Sequence, residues 1–150
     1  MLLSQTQLLH SSVEIGSISE VRGNAQVLRD KAYGAELKFD IQQMDDVRTE
    51  TGRVAITFLD SSTVKLTEHS KLVIDEYIYD PDPSKSKMAL KFASGTARFI
   101  TGKFNNKNNI SIRTPTANIA IRGTDFTCTV DELGRSLVIL LPDENGISSG

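Results

Sequence analysis

Apolar and polar residues alternate with a period of two along most of this chain, and no other feature constrains the fold as strongly. In the run RVAITFL, for example, Val54, Ile56 and Phe58 fall on one face. A period of two is typical of β-strands because successive side chains point to opposite faces of a sheet. Helical spacing is almost absent, and only Ile41–Val47 could form one short helical turn.

The same alternation predicts strands throughout the sequence. The predicted segments are Ile15–Val21, Ala25–Leu28, a weaker Ala35–Phe39, Arg53–Leu59, Thr63–Thr67, Lys71–Ile74, Met88–Phe92, Thr96–Ile100, Ile110–Thr114, Ala117–Arg122 and Phe126–Val130. Ser136–Leu141 is a continuous apolar run, which we interpret as a strand buried on both faces. Short strands at near-regular spacing predict an all-β fold, an antiparallel β-sandwich that is jelly-roll-like and has about ten or more strands.

Turn-forming residues separate these segments. Ser94–Gly95 and Leu133–Gly134 are predicted to be tight reversals, since glycine adopts positive φ at little steric cost. Tyr79–Lys87 contains two prolines, which cannot donate to a β-ladder, so this segment must leave the sheet. Gly102–Asn109 is polar and rich in asparagine, which indicates an exposed loop.

Length and composition favour one ordinary globular domain. The chain has 150 residues, which fits one domain of average size. Its net charge of −2 argues against a nucleic-acid partner, because such domains normally carry a basic excess. We expect an arm over residues 1–14, a β-sandwich domain over residues 15–142, and a C-terminal turn or link to further chain over residues 143–150.

The sequence contains no strong catalytic or metal-binding pattern. One cysteine excludes a four-cysteine zinc site and a Cys-x-x-Cys redox pair, and the two histidines, His10 and His69, stand too far apart in sequence to favour a multi-histidine metal centre. Ser84 and Lys87 have the Ser-x-x-Lys spacing of some acyl enzymes, but the accompanying motifs are missing. Cys128 alternates with apolar neighbours and should be a small core residue, while His69 should lie in a turn. We therefore predict that the protein is not an enzyme and uses no cofactor or metal.

The first residues, MLLSQTQLLHSS, leave two interpretations open. The segment is either a frayed arm, as termini often are, or a docking arm that packs on a neighbour through its leucines, Leu2, Leu3, Leu8 and Leu9. It lacks the basic start and unbroken apolar run of a secretory signal, and no run in the chain is long enough to span a membrane. We expect a cytoplasmic location or incorporation in a virion, and a periplasmic one only if a leader is missing.

The segment from about Ile18 to Val138 resembles the FecR domain, the sensor module of bacterial iron-dicitrate-type regulators. The resemblance rests on ordered landmarks: Gly23–Leu28, Asp46–Thr49, Gly52–Phe58, Asp60–Leu66, Ser70–Leu72, Ser94–Phe99 and Thr114–Phe126. The last of these is the most specific, since TPTANIAIRGTDF is similar to the family pattern T-P-x-A-x-x-x-x-R-G-T-x-F. One departure is Ser61, which stands where the family usually has glycine.

The Thr114–Phe126 run also indicates a structural corner. Pro115 has no N–H and ends a strand, whereas Gly123 stands where the alternation changes phase, which is typical of a bulge or bend. We assign Thr114, Pro115, Arg122, Gly123 and Thr124 to one structural motif. We favour a role for Arg122 and Thr124 in bracing this corner, with ligand contact by the same two residues as the alternative.

The resemblance implies a sandwich that binds other proteins and performs no chemistry. The anti-sigma segment and membrane span of the iron-signalling members have no counterpart in the sequence. We therefore predict a protein–protein interaction module, a building block of a larger assembly such as a phage tail or baseplate. Its partners would be other protein subunits and could include further copies of the chain. The alternative is a signal-transduction regulator of the iron-dicitrate, anti-sigma type.

Overall fold

The computed structural model describes residues 13–80, 82, 85–100, 109–121 and 125–141. These residues form thirteen strands. They are β1 (Glu14–Arg22), β2 (Ala25–Leu28), β3 (Ala32–Gly34), β4 (Asp40–Gln42), β5 (Asp46–Thr49), β6 (Arg53–Phe58), β7 (Thr63–Leu66), β8 (Lys71–Ile78), β9 (Lys87–Ile100), β10 (Asn109–Arg113), β11 (Asn118–Ile121), β12 (Phe126–Val130) and β13 (Ser136–Leu140). The prediction of an all-β fold is confirmed. No helix in the described ranges has the length and apolarity needed to cross a membrane.

The strands form two layers that share β9. Sheet A has the order β4-β1-β6-β7-β9-β12-β13, and sheet B has the order β3-β2-β5-β8-β9-β10-β11. The inner faces of both sheets contribute to one hydrophobic core. Across this core, Phe58 of sheet A stacks on Tyr77 of sheet B with ring centroids 5.1 Å apart. The architecture is therefore sandwich-like, as the strand spacing predicts.

Strand β9 passes from one layer to the other near its middle. Residues 87–94 pair with β8, and residues 95–100 pair with β7 and β12. Gly95 lies at the change of partners with φ +99°, and a Cβ added there would lie 2.5 Å from Cα of Ser70. The predicted reversal at Ser94–Gly95 is therefore wrong, because the glycine allows a bend within one continuous strand.

Two further predictions about local structure are corrected, and the predicted antiparallel pairing holds with one exception. Ile41–Val47 forms no helical turn, since it contains the end of β4, a turn at Met44 with φ +73°, and the start of β5. Ala35–Phe39 is not a strand, and Lys38 within it has φ +69°, which interrupts extended backbone. The pairing is antiparallel except between β9 and β10, which run parallel.

The core follows the alternation closely. Large side chains that are almost completely buried come from both sheets: Ile18, Ile41, Ile56, Leu66, Leu72, Ile74, Met88, Phe92, Phe99, Ile110 and Phe126. Phe99 and Phe126 stack in register on neighbouring strands with centroids 5.2 Å apart. Cys128 is buried beside them, and burial raises the pKa of its thiol, so the prediction of a core cysteine is confirmed.

Candidate functional site

Most residues that the sequence singles out as site residues lie outside the described ranges. These are Leu2, Leu3, Leu8 and Leu9 of the proposed docking arm, and Arg122, Gly123 and Thr124 of the proposed corner. Their roles therefore stay predictions. Thr114 and Pro115 are described and lie together in the turn between β10 and β11.

The Thr114 turn is fastened to the β12–β13 hairpin. Thr114 Oγ1 accepts a hydrogen bond from the backbone N–H of Ala117 at 3.0 Å and lies 2.5 Å from Ser136 Oγ. Thr116 Oγ1 donates to the carbonyl oxygen of Gly134 at 2.7 Å. Each hydroxyl thus joins the end of sheet B to the end of sheet A, so both threonines stabilise the contact between the two sheets.

A second set of polar contacts surrounds the bend of β9. The buried Thr49 Oγ1 donates to the carbonyl oxygen of Thr67 at 2.6 Å and accepts from the N–H of Ser70 at 2.9 Å. Ser70 Oγ in turn accepts from the N–H of Thr96 at 3.2 Å. Thr49, Ser70 and Thr96 belong to the family-like landmarks, and here the hydroxyls of Thr49 and Ser70 pair backbone groups that the bend would otherwise leave without partners.

The turn between β6 and β7 contains a buried carboxylate. Asp60 Oδ1 accepts from Ser62 Oγ at 2.7 Å and from the Tyr77 hydroxyl at 2.8 Å. Burial, followed by the hydrogen bond to this carboxylate, raises the pKa of Tyr77 far above its ordinary value. Between Asp60 and Ser62, Ser61 has φ +72°, which is the conformation that favours glycine.

Asp45 is a second carboxylate that is fully buried within the described ranges, and both of its oxygens accept hydrogen bonds. Arg29 binds both of its oxygens at 2.7 Å, and Asp45 Oδ2 accepts from the N–H of Gln42 at 2.8 Å. The hydrogen bonds to Asp45 raise the pKa of the Arg29 guanidinium. Buried ionisable groups held in this way serve the fold, because their lone pairs and protons are directed at each other.

No metal-binding cluster is found within the described ranges. They contain no group of three or more His, Cys, Asp or Glu side chains that could hold a metal ion. His69 lies in the turn between β7 and β8, as predicted, and has φ +56°.

One groove opens at the end of the sandwich where Phe58 stacks on Tyr77. It has a volume of about 470 Å³, and its apolar wall includes Val13, Ile15, Leu59 and Tyr79. Sheet A supplies one side and the end of β8 supplies the other. Glu14, Gln43 and Tyr77 supply the polar part of its lining.

The strongest exposed apolar feature is β13 with its preceding turn. Leu133, Leu137 and Ile139 are 75%, 59% and 51% exposed, and Leu140 is also exposed. We call Leu133, Leu137 and Ile139 the β13 surface, whereas Leu140 is in phase with Val138, which packs against the core. The prediction that Ser136–Leu141 is buried on both faces is wrong, because β13 is the last strand of sheet A and its outer face has no covering layer among the described residues.

Strand β13 also presents backbone groups at the sheet edge. Within the described ranges it pairs only with β12. The N–H of Asp131 donates to the Arg135 carbonyl, and the N–H of Leu141 donates to the Asp125 carbonyl. Hydrogen-bonded pairs alternate along an antiparallel ladder, so residues 136, 138 and 140 direct their N–H and C=O groups away from β12.

Sequence reasoning missed this surface although a signal was present. In a strand with one buried face, apolar residues occupy one phase, whereas SLVILL is apolar at both phases. Such a run fits either burial on two faces or an outer face that another molecule covers. Only the position of β13 at the end of the sheet distinguishes the two.

Comparison with known proteins gives one family match. The model of the family described as FecR protein matches residues 45–142, which is about two thirds of the chain and includes all of β5 through β13. No curated protein and no solved structure matches the chain.

Proposed function

The chain belongs to the FecR protein family, and from this premise we propose that it is a non-enzymatic protein-binding module of a signal-transduction regulator. Its partner is a protein that contributes an extended, apolar segment. The partner docks on the β13 surface, Leu133, Leu137 and Ile139.

The observation that carries this proposal is the exposed apolar outer face of β13 at a sheet edge. Folded domains normally protect such edges with charges, prolines, bulges or short length, because a free edge invites pairing. Contiguous exposed apolar patches typically mark interaction sites. Leu137 and Ile139 are more than half exposed on a strand without any charged residue.

Strand addition is the binding mode that suits this edge. A partner segment running along β13 would bond to the backbone groups of residues 136, 138 and 140, which supplies affinity without requiring a particular sequence. Specificity would come from alternate side chains of the partner that pack on Leu137 and Ile139.

The family match favours a regulator over a building block of a phage tail or baseplate. Family membership relates the chain to signal-transduction regulators, whereas neither the comparisons nor the described residues support a particle component. The building-block hypothesis stays a prediction.

Proximity labelling in the native organism tests the proposal. The full chain would be fused to a labelling enzyme and compared with Ile139→Lys, which places a charge on the docking face. Ala120→Lys is the matched control, because Ala120 is exposed on β11, the edge strand of the other sheet. We expect one or more proteins labelled by the wild type and the control but not by Ile139→Lys. Identical labelling by all three chains would overturn the proposal.

A further inference from the structure

We propose that the β13 edge also binds the β13 edge of a second copy of this chain, in an antiparallel pair centred on Val138. This inference rests on the proposed function in that both use the β13 surface. Sheet A of one copy would continue into sheet A of the other through the paired edges.

The four sheet edges of the described structure are not equivalent. β3 and β4 have three residues each, and β4 begins with the charged Asp40. β11 exposes only Asn118 and Ala120 on its outer face. β13 has five residues, none of them charged, and exposes leucine and isoleucine. Of these edges, β13 is the one without the features that normally prevent edge-to-edge pairing.

The backbone of β13 is arranged for self-pairing about Val138. Residues 136, 138 and 140 direct their N–H and C=O groups outward, as the register with β12 requires. In an antiparallel pair centred on Val138, each of these residues faces an equivalent outward-directed residue of the second copy. Every facing pair then exchanges two hydrogen bonds, as in an ordinary antiparallel ladder.

The side chains match in the same register. Leu137 lies opposite Ile139 of the second copy, and Ile139 lies opposite its Leu137. All four are exposed apolar side chains on one face, and cross-strand pairs of this kind stabilise sheets. The segment carries no charge that would repel its copy, and Arg135, which directly precedes the strand, is paired with Asp131 at 2.6 Å.

The size of this contact predicts a weak dimer. One pair of five-residue strands buries less than the roughly 1,600 Å² of a standard stable interface. We therefore expect a dissociation constant between about 1 µM and about 1 mM. A weak contact of this strength would let a partner protein with a better-matched segment compete for the edge.

Sedimentation velocity of the full chain over this concentration range tests the inference. Leu137→Lys/Ile139→Lys and Leu137→Glu/Ile139→Glu each place like charges opposite each other in the dimer, so each should remain monomeric. An equimolar mixture of the two variants brings opposite charges together in the same register and should form a heterodimer. Asn118→Lys/Ala120→Lys, which adds the same charge to the β11 edge, should dimerise as the wild type does.

Amide hydrogen exchange supplies the second readout. Exchange at residues 136, 138 and 140 should slow as the wild-type concentration rises, and it should not slow in either charge variant. A wild type that is monomeric at every concentration would overturn the inference, as would a dimer that survives in both charge variants. If dimerisation fails but labelling in the organism still depends on Ile139, the inference falls and the proposed function stands.

Discussion

Gly95 in the middle of β9 packs directly against the backbone of Ser70 in the turn before β8. The glycine has φ +99°, and an added Cβ would lie 2.5 Å from Cα of Ser70. The contact occurs where β9 leaves sheet B and enters sheet A. This one position combines a backbone conformation that L side chains rarely adopt with a lack of space.

Gly95→Ala should therefore lower the free energy of unfolding by about 3 kcal/mol. The cost of a positive φ at alanine adds to the cost of moving the Ser70 backbone away from the new Cβ. Urea unfolding followed by circular dichroism measures the change. Gly34→Ala is the matched control, since Gly34 has an ordinary φ and no atom within 4 Å of its added Cβ. The control should change stability by no more than about 0.5 kcal/mol. Equal effects of the two substitutions would contradict this account of β9.

Ser61→Gly should stabilise the protein by about 0.5–1 kcal/mol. Ser61 has φ +72°, where a residue with a Cβ is strained, and the gain is reduced by the larger unfolded-state entropy of glycine. Thermal and urea unfolding both report the change. Ser111→Gly serves as a control in the regular strand β10, where the same substitution should destabilise. A loss of stability in Ser61→Gly would show that the turn prefers its serine.

Tyr77→Phe should reduce the free energy of unfolding by about 2 kcal/mol at pH 7. The substitution removes the hydroxyl that donates to the buried Asp60 carboxylate at 2.8 Å, and hydrogen bonds to charged groups contribute about 1.5–3 kcal/mol. Tyr33→Phe is the comparison, because Tyr33 donates to Asp30 at 2.9 Å at the surface and should matter less. Similar losses from both would contradict the importance of the buried pair.

The same tyrosine predicts a dependence on alkaline pH. Burial and the Asp60 carboxylate raise the pKa of Tyr77 on folding, so the folded state holds the phenolic proton more tightly than the unfolded state. This contribution is fully present below about pH 10, the unfolded value, and is lost as pH rises above it. Unfolding free energies between about pH 8 and 11 should fall more steeply for the wild type than for Tyr77→Phe. Parallel curves would be inconsistent with the shift.

Arg29→Ala should reduce the free energy of unfolding by about 2–3 kcal/mol. Removing the guanidinium leaves the fully buried Asp45 without its cation, although partial exposure of Arg29 lessens the penalty. Arg29→Lys should recover part of the loss, since an ammonium group cannot bind both oxygens in the same way. Arg135→Ala, at the exposed pair with Asp131, should change stability little. Urea midpoints of the three variants compare these effects.

The alternation predicts individual strands well because it reports which side chains a sheet buries. Phe126–Val130 and Ala25–Leu28 are predicted with the bounds that the structure has. The join between Met88–Phe92 and Thr96–Ile100 is not predictable from this pattern, since a reversal and a bend both use a glycine between two alternating segments. The choice between a reversal and a bend depends on the close approach of Ser70 to Gly95, and Ser70 lies far from Gly95 in sequence.

The docking face is harder to predict than the strands. The many apolar residues in Ser136–Leu141 indicate how much side-chain surface burial would stabilise. They do not indicate how many other strands or layers lie against this strand. That number depends on the topology, which leaves β13 last in its sheet. The Thr114–Phe126 run shows the opposite situation, because its sequence is easy to recognise but Thr114 has a structural role. Its hydroxyl holds the β10–β11 turn to Ser136 in the β12–β13 hairpin.

Sharing β9 between the layers also bears on how this domain forms during synthesis. Sheet A is incomplete until β12, which pairs with β9, and β13, which pairs with β12, emerge from the ribosome. One edge of residues 95–100 in β9 therefore stays without its partner until β12 is translated. Chaperone dependence of a nascent chain would follow from the position of this one strand.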